Sequence, residues 1–116
     1  MKATENVIVK KSFEFALQII ALCTKIEKDR KYAIANQLLK AGTSIGANVR
    51  EAQSPESRLD FIHKMKIASK EAWETEYWLL LCKYSEHLPD PGSLLVNIEE
   101  LQKILTAIIT TSKNRL

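Results

Sequence analysis

Apolar residues recur at alternating steps of four and three along most of this chain, a spacing that fits packed α-helices and little else. Between residues 31 and 53 the series is Ile34, Leu38, Ala41, Ile45, Asn48 and Ala52. Between 55 and 84 it is Phe61, Met65, Ala68, Ala72, Thr75, Leu79 and Cys82. From 93 to 113, Leu94, Ile98, Leu101, Leu105, Ile108 and Ser112 make a third seam, widened by Leu95, Ile104 and Ile109. Seams of this kind belong to helices packed antiparallel at a shallow angle. The segment before them, about 5–29, carries two apolar rows: Phe13, Leu17, Ile20 and Thr24, and beside it Phe15, Ile19, Leu22 and Ile26. One core contact fills one row, so this helix is expected to be covered on more than one side.

The breaks between segments agree with that reading. Three glycines and three prolines among 116 residues are few, which favours long elements with short connections over a strand-rich fold. Ser54, Pro55 and Glu56 suit a helix start, as cap, first helical residue and acid at the positive dipole end. HLPDPGS, residues 87–93, is the most strongly punctuated loop. Helices at about 5–29, 31–53, 55–84 and 93–113 in one domain predict an all-α, antiparallel up-and-down four-helix bundle.

Several classes of chemistry lack their residues. A di-metal bundle site needs carboxylates and paired Glu-x-x-His motifs on several helices, and this chain offers only the fragment Asp60-x-x-His63 with a distant Glu76. Cys23 and Cys82 lie far apart inside apolar segments and read as small buried hydrophobes rather than a disulfide or a nucleophile. No phosphate-binding glycine loop and no nucleophile elbow occurs. An enzyme is not expected, nor is a cofactor. Glu5, Lys10 and Lys11 interrupt any export signal, and the longest apolar run, YWLLLC at 77–82, falls far short of the roughly 20 residues of a membrane helix. A cytoplasmic protein without membrane contact is expected.

Two surface features point toward partners. The net charge of +3 is uneven: residues 1–58 hold 10 Lys+Arg against 6 Asp+Glu, and residues 59–116 hold 7 against 8. Lys10, Lys11, Lys25, Lys28, Arg30 and Lys31 are the candidate phosphate contacts for RNA or DNA. On the third helix, Trp73, Tyr77, Trp78 and Tyr84, with Leu80 and Leu81, surround the last turns. A small isolated bundle has no use for such all-round coverage, so these aromatics are the candidate oligomer interface.

The stretch SIGANVREA, residues 44–52, is unusual for mid-helix. Ser44, Asn48 and Glu51 form a polar stripe beside Ile45, Val49 and Ala52, while Ser69 and Glu76 flank the seam of the third helix. Asn48 has three readings: a hydrogen bond across the core that sets helix register, a subunit contact, or part of a partner site. Gly46 removes a side chain where another backbone approaches, at a helix cost near ~1 kcal/mol.

Ser44-Ile45-Gly46-Ala47-Asn48-Val49-Arg50-Glu51-Ala52 resembles the Ser-Ile-Pro-x-Asn-Ile-x-Glu-Gly signature of the bacterial four-helix proteins encoded in 23S ribosomal RNA intervening sequences. Arg58 and Phe61 resemble the arginine and aromatic that open that family's third helix, and Ala68 through Glu76 resembles its Ala-x-x-Ser/Ala-x-x-Glu region. Gly46 stands where proline is usual and Ala52 where glycine is usual. The resemblance implies a cytoplasmic homopentameric ring. It extends to the accessory protein of diversity-generating retroelements, which binds nucleic acid. The expected function is therefore a non-enzymatic homo-oligomer that holds RNA or DNA through phosphate contacts. The alternative is a ring that scaffolds another protein. On this reading SIGANVREA holds the second helix in register against the third, and against a neighbouring subunit.

Overall fold

The computed structural model describes residues 3–116, with side chains from Val7 onward. Four helices follow in order, α1 Ala3–Lys28, α2 Tyr32–Glu51, α3 Arg58–Tyr84 and α4 Leu94–Asn114, and no strand occurs among the described residues. Each helix packs on the next and α1 closes on α4, while the diagonal pairs α1/α3 and α2/α4 are not in contact. This is the expected all-α up-and-down four-helix bundle. The body measures 47 × 21 × 19 Å. Among the described residues no helix is long and apolar enough to cross a membrane.

The core follows the seams closely on α3 and α4. All seven α3 seam residues from Phe61 to Cys82 are buried, joined by Ile62, and so are the six from Leu94 to Ser112. On α2 the buried set is Ala35, Leu38, Ala41, Gly42, Ile45 and Val49. Leu38, Ala41 and Ile45 belong to the expected row, as does buried Ala52 just past the helix. Ile34 and Asn48 are only half-buried, while Ala35, Gly42 and Val49 widen the face. On α1 the row Phe15, Ile19, Leu22 and Ile26 enters the core. The companion row does not: Phe13, Leu17 and Ile20 keep 58%, 54% and 46% of their surface in solvent, and Thr24 is exposed too. The reason is geometric. In a four-helix bundle α1 has two neighbours, α2 and α4, and nothing within the chain reaches its outer side.

The α3 start differs from expectation. The helix begins at Arg58 rather than Pro55, and Ser57 rather than Ser54 is the cap, extended at φ −163 and ψ 173. The Ser57 hydroxyl accepts the Asp60 N–H at 3.0 Å while the Asp60 carboxylate accepts the Glu56 N–H at 3.1 Å. A serine with an acid three residues on makes this reciprocal cap, and Ser54 has Ser57 at that place instead.

Both connections at the opposite end are tied together. Arg30 takes the left-handed conformation at φ 61, the geometry that ends many helices, although no glycine marks it. The next residue, Lys31, sends its Nζ across to donate to the backbone oxygen of His87 at 2.7 Å. The α3–α4 connection turns through Gly92, at φ 59.

Candidate nucleic-acid and assembly surfaces

The six candidate phosphate contacts do not form one patch. Lys10 and Lys11 lie about 21 Å or more from Lys25 along α1, counting 1.5 Å per residue. Lys11 donates to Glu100 of α4 at 3.0 Å in a solvent-exposed ion pair. Lys31 is occupied by His87, as described. Lys25, Lys28 and Arg30 are left together and exposed at the α1–α2 end. Among the described residues none of these three takes part in a salt bridge. Exposed cations outside any salt bridge are what a phosphate backbone engages, although Glu27 and Asp29 stand in the same stretch.

The SIGANVREA residues divide by partner. Asn48 does not bond across the core: its Nδ2 donates to the Ser44 carbonyl of its own helix at 2.8 Å, and Ser44 Oγ donates to Lys40 O at 2.6 Å. A short polar side chain on a helix reaches the carbonyl four residues back, which satisfies it locally. Glu51 does reach α3, accepting from Lys64 Nζ at 3.1 Å. The closer contact is to α1. A Cβ on Gly46 would stand 3.3 Å from the backbone oxygen of Ser12, a buried α1 residue. A Cβ on Gly42 would stand 2.8 Å from both γ-carbons of Ile19. The stretch therefore meets α1 through Gly46 and α3 through Glu51. Sequence reading missed Gly42, although two glycines four apart on one helix face were a usable signal of close helix approach. Arg58 is exposed as the first residue of α3, and Glu76 is half-buried on its flank.

Trp73, Tyr77 and Tyr84 are exposed, and with Leu80 they form one stripe along α3 at steps of four, three and four. Trp78 is placed differently. It packs partly on the core, with its ring edge-on to Tyr77 at 5.3 Å and its Nε1 donating to Glu74 Oε2 at 3.2 Å. The α3 stripe and the α1 stripe of Phe13, Leu17 and Ile20 lie on helices that are diagonal to one another. The bundle thus carries two uncovered apolar strips on opposite sides.

The reactive groups are held quiet. Cys23 is buried, and its Sγ donates to Ala35 O at 3.4 Å. Burial, then Glu27 and Cys82, push its thiol up to about 11, and burial also raises Cys82. Asp60 and Glu76 are sixteen residues apart on α3, about 24 Å along the axis, so with His63 they do not converge. Among the described residues no group of three His, Cys, Asp or Glu side chains is placed to hold a metal ion.

The chain matches the family of 23S rRNA-intervening sequence proteins over residues 4–107. It is also similar to a protein of unknown function from the S23 ribosomal protein family of Bacteroides thetaiotaomicron, known as a crystal structure. The two share 42% identity with a TM-score of 0.87, covering 92% of this chain and 98% of that one. No curated protein matches the sequence. The chain belongs to the 23S rRNA-intervening sequence protein family.

Proposed function

From that membership we propose that the protein is a cytoplasmic, non-enzymatic ring of identical subunits, a homopentamer, that holds RNA or DNA by its phosphates. The observation that carries the nucleic-acid reading is the group Lys25, Lys28 and Arg30, exposed at one end of the bundle with no salt bridge among the described residues. A ring would bring one such group from every subunit to a common rim. Five copies turn a net charge of +3 into a formal +15, and clustered weak contacts add steeply. The likeness to the accessory protein of diversity-generating retroelements belongs to the same proposal.

Two unlike apolar stripes on opposite sides favour assembly. A head-to-tail contact uses two different surfaces of each subunit and closes into a ring when its rotation permits. Phe13, Leu17 and Ile20 supply one surface, and Tyr77, Leu80 and Tyr84 the other.

The test is a binding titration of nuclease-treated protein against labelled RNA and duplex DNA at about 50 and 200 mM salt, where phosphate contacts show as a steep loss of affinity. Reversing Lys28 and Arg30 to glutamate should weaken binding and flatten the salt slope. An unchanged slope would remove the assignment. The second reading is a protein-docking scaffold, favoured by the same apolar stripes. Absence of binding at the lower salt, with a stoichiometric protein partner recovered, selects it.

A further inference from the structure

The α3 stripe ends in a groove that differs from the rest of the surface. Between α3 and α4 lies an open hollow of about 500 Å³, lined by Lys66, Lys70, Trp73, Thr106, Thr110 and Lys113 among others. Three cations from two helices thus meet hydroxyl groups and one large aromatic ring. Trp73 is 60% exposed within one subunit and stands at the end of its stripe, beyond the Tyr77, Leu80 and Tyr84 assigned to assembly. None of the three lysines is in a salt bridge among the described residues. Lys66 stands near enough to Lys113 to hold the Lys113 ammonium below the usual lysine range. Two ammonium groups in that position repel, and an anion between them removes the repulsion.

We propose that this groove binds a nucleoside phosphate unit, with its phosphate between Lys66 and Lys113 and its base stacked on Trp73. Lysine ammonium groups bind phosphate as point charges, and threonine hydroxyls add hydrogen bonds. An aromatic ring beside such cations is the pairing that single-stranded nucleic acid uses, because every base offers a π face. A purely inorganic phosphate would leave Trp73 unused. From Lys66 to Trp73 the groove spans about 10 Å of helix, room for two or three stacked nucleotides at roughly 3.4 Å each. The shared chemistry is base plus phosphate, and its source is either a free nucleotide or one unit of a strand. The groove is distinct from the Lys25, Lys28 and Arg30 group, which lies on the α1–α2 side of the bundle.

Calorimetric titration of the intact oligomer with AMP, with inorganic pyrophosphate and with a deoxythymidine trinucleotide tests the proposal. All three should bind, more weakly at 200 than at 50 mM salt. K66A and K113A should each weaken all three by about tenfold. W73L should weaken AMP and the trinucleotide by at least about fivefold and leave pyrophosphate unchanged. A trinucleotide affinity more than tenfold above AMP assigns the site to a strand, and equal affinities assign it to a free nucleotide. Binding of none of the probes overturns the proposal, as does W73L without effect on the nucleotides. K28E/R30E should leave these titrations unaltered, so failure here and failure of the rim lysines are separate results.

Discussion

The side chain of Ile19 fills the space in which Gly42 would carry a Cβ, its two γ-carbons 2.8 Å from that point. Ile19 is fully buried and cannot withdraw. Alanine at 42 gains up to about 1 kcal/mol of helix propensity, yet overpacking costs about 1–3 kcal/mol. G42A should therefore lower stability on balance in urea denaturation. G46A meets the Ser12 oxygen at a milder 3.3 Å, so its loss should be smaller. Equal effects, or a stabilised G42A, would show that the helices can part.

Lys31→Ala removes the bond that joins the two connections at one end, given by Nζ to His87 O at 2.7 Å. Loss of one hydrogen bond from a charged donor at a half-buried site should cost about 1 kcal/mol, near 4 °C in Tm. Thermal melts of K31A beside K28A check it, since exposed Lys28 should leave the melt unmoved.

Leu17→Glu places a charge in the middle of the uncovered α1 stripe. Leu17 is 54% exposed within one subunit, so helix content by circular dichroism should stay near the wild-type value. If this stripe is the subunit contact, native mass spectrometry should show smaller species. A full-size assembly would assign the stripe elsewhere.

Asn48→Leu should alter assembly more than helix content. The residue is half-buried and bonds only within its own helix, so the bundle loses little when it is replaced. Native mass and circular dichroism measured together decide it, and unchanged oligomer size counts against the idea.

The thiols give a pH prediction. Cys23 ionises at about 11 in the folded chain against 9.0 for an ordinary thiol, chiefly through burial. Between those values the unfolded chain has released the proton and the folded chain has kept it, so stability falls as pH rises through the window. The contribution is complete below pH 9 and gone above pH 11. Urea midpoints at pH 8 and 10 should differ in that direction, and a disulfide reagent at pH 7 should label the native protein far more slowly than the denatured one.

The parts of this fold that a sequence shows well are those governed by one helix at a time. The α4 seam from Leu94 to Ser112 is legible because its residues face two neighbours in the usual register. Where a second helix decides, legibility falls. Ser57 displaced Ser54 as cap because Asp60 answers it, and Gly42 joined the buried face of α2 because Ile19 of α1 packs against it. Phe13 and Leu17 announced that α1 needed cover, but which surface provides it depends on something other than this chain. The candidate site fared similarly. Lys66 and Lys113 are far apart in sequence and gain meaning only when α3 and α4 lie side by side.

Every helix of the bundle rests on its predecessor, and only the α1–α4 contact joins distant parts of the chain. Such neighbour-to-neighbour packing means short loops to close on the way to the native state, and topologies of this sort assemble in about microseconds to milliseconds. Two of the four packing faces are in place once α3 is complete, and α4 adds the other two by settling onto α3 and α1. The chain is thereby built to reach its native shape quickly, before its two uncovered apolar strips meet those of another unfinished copy.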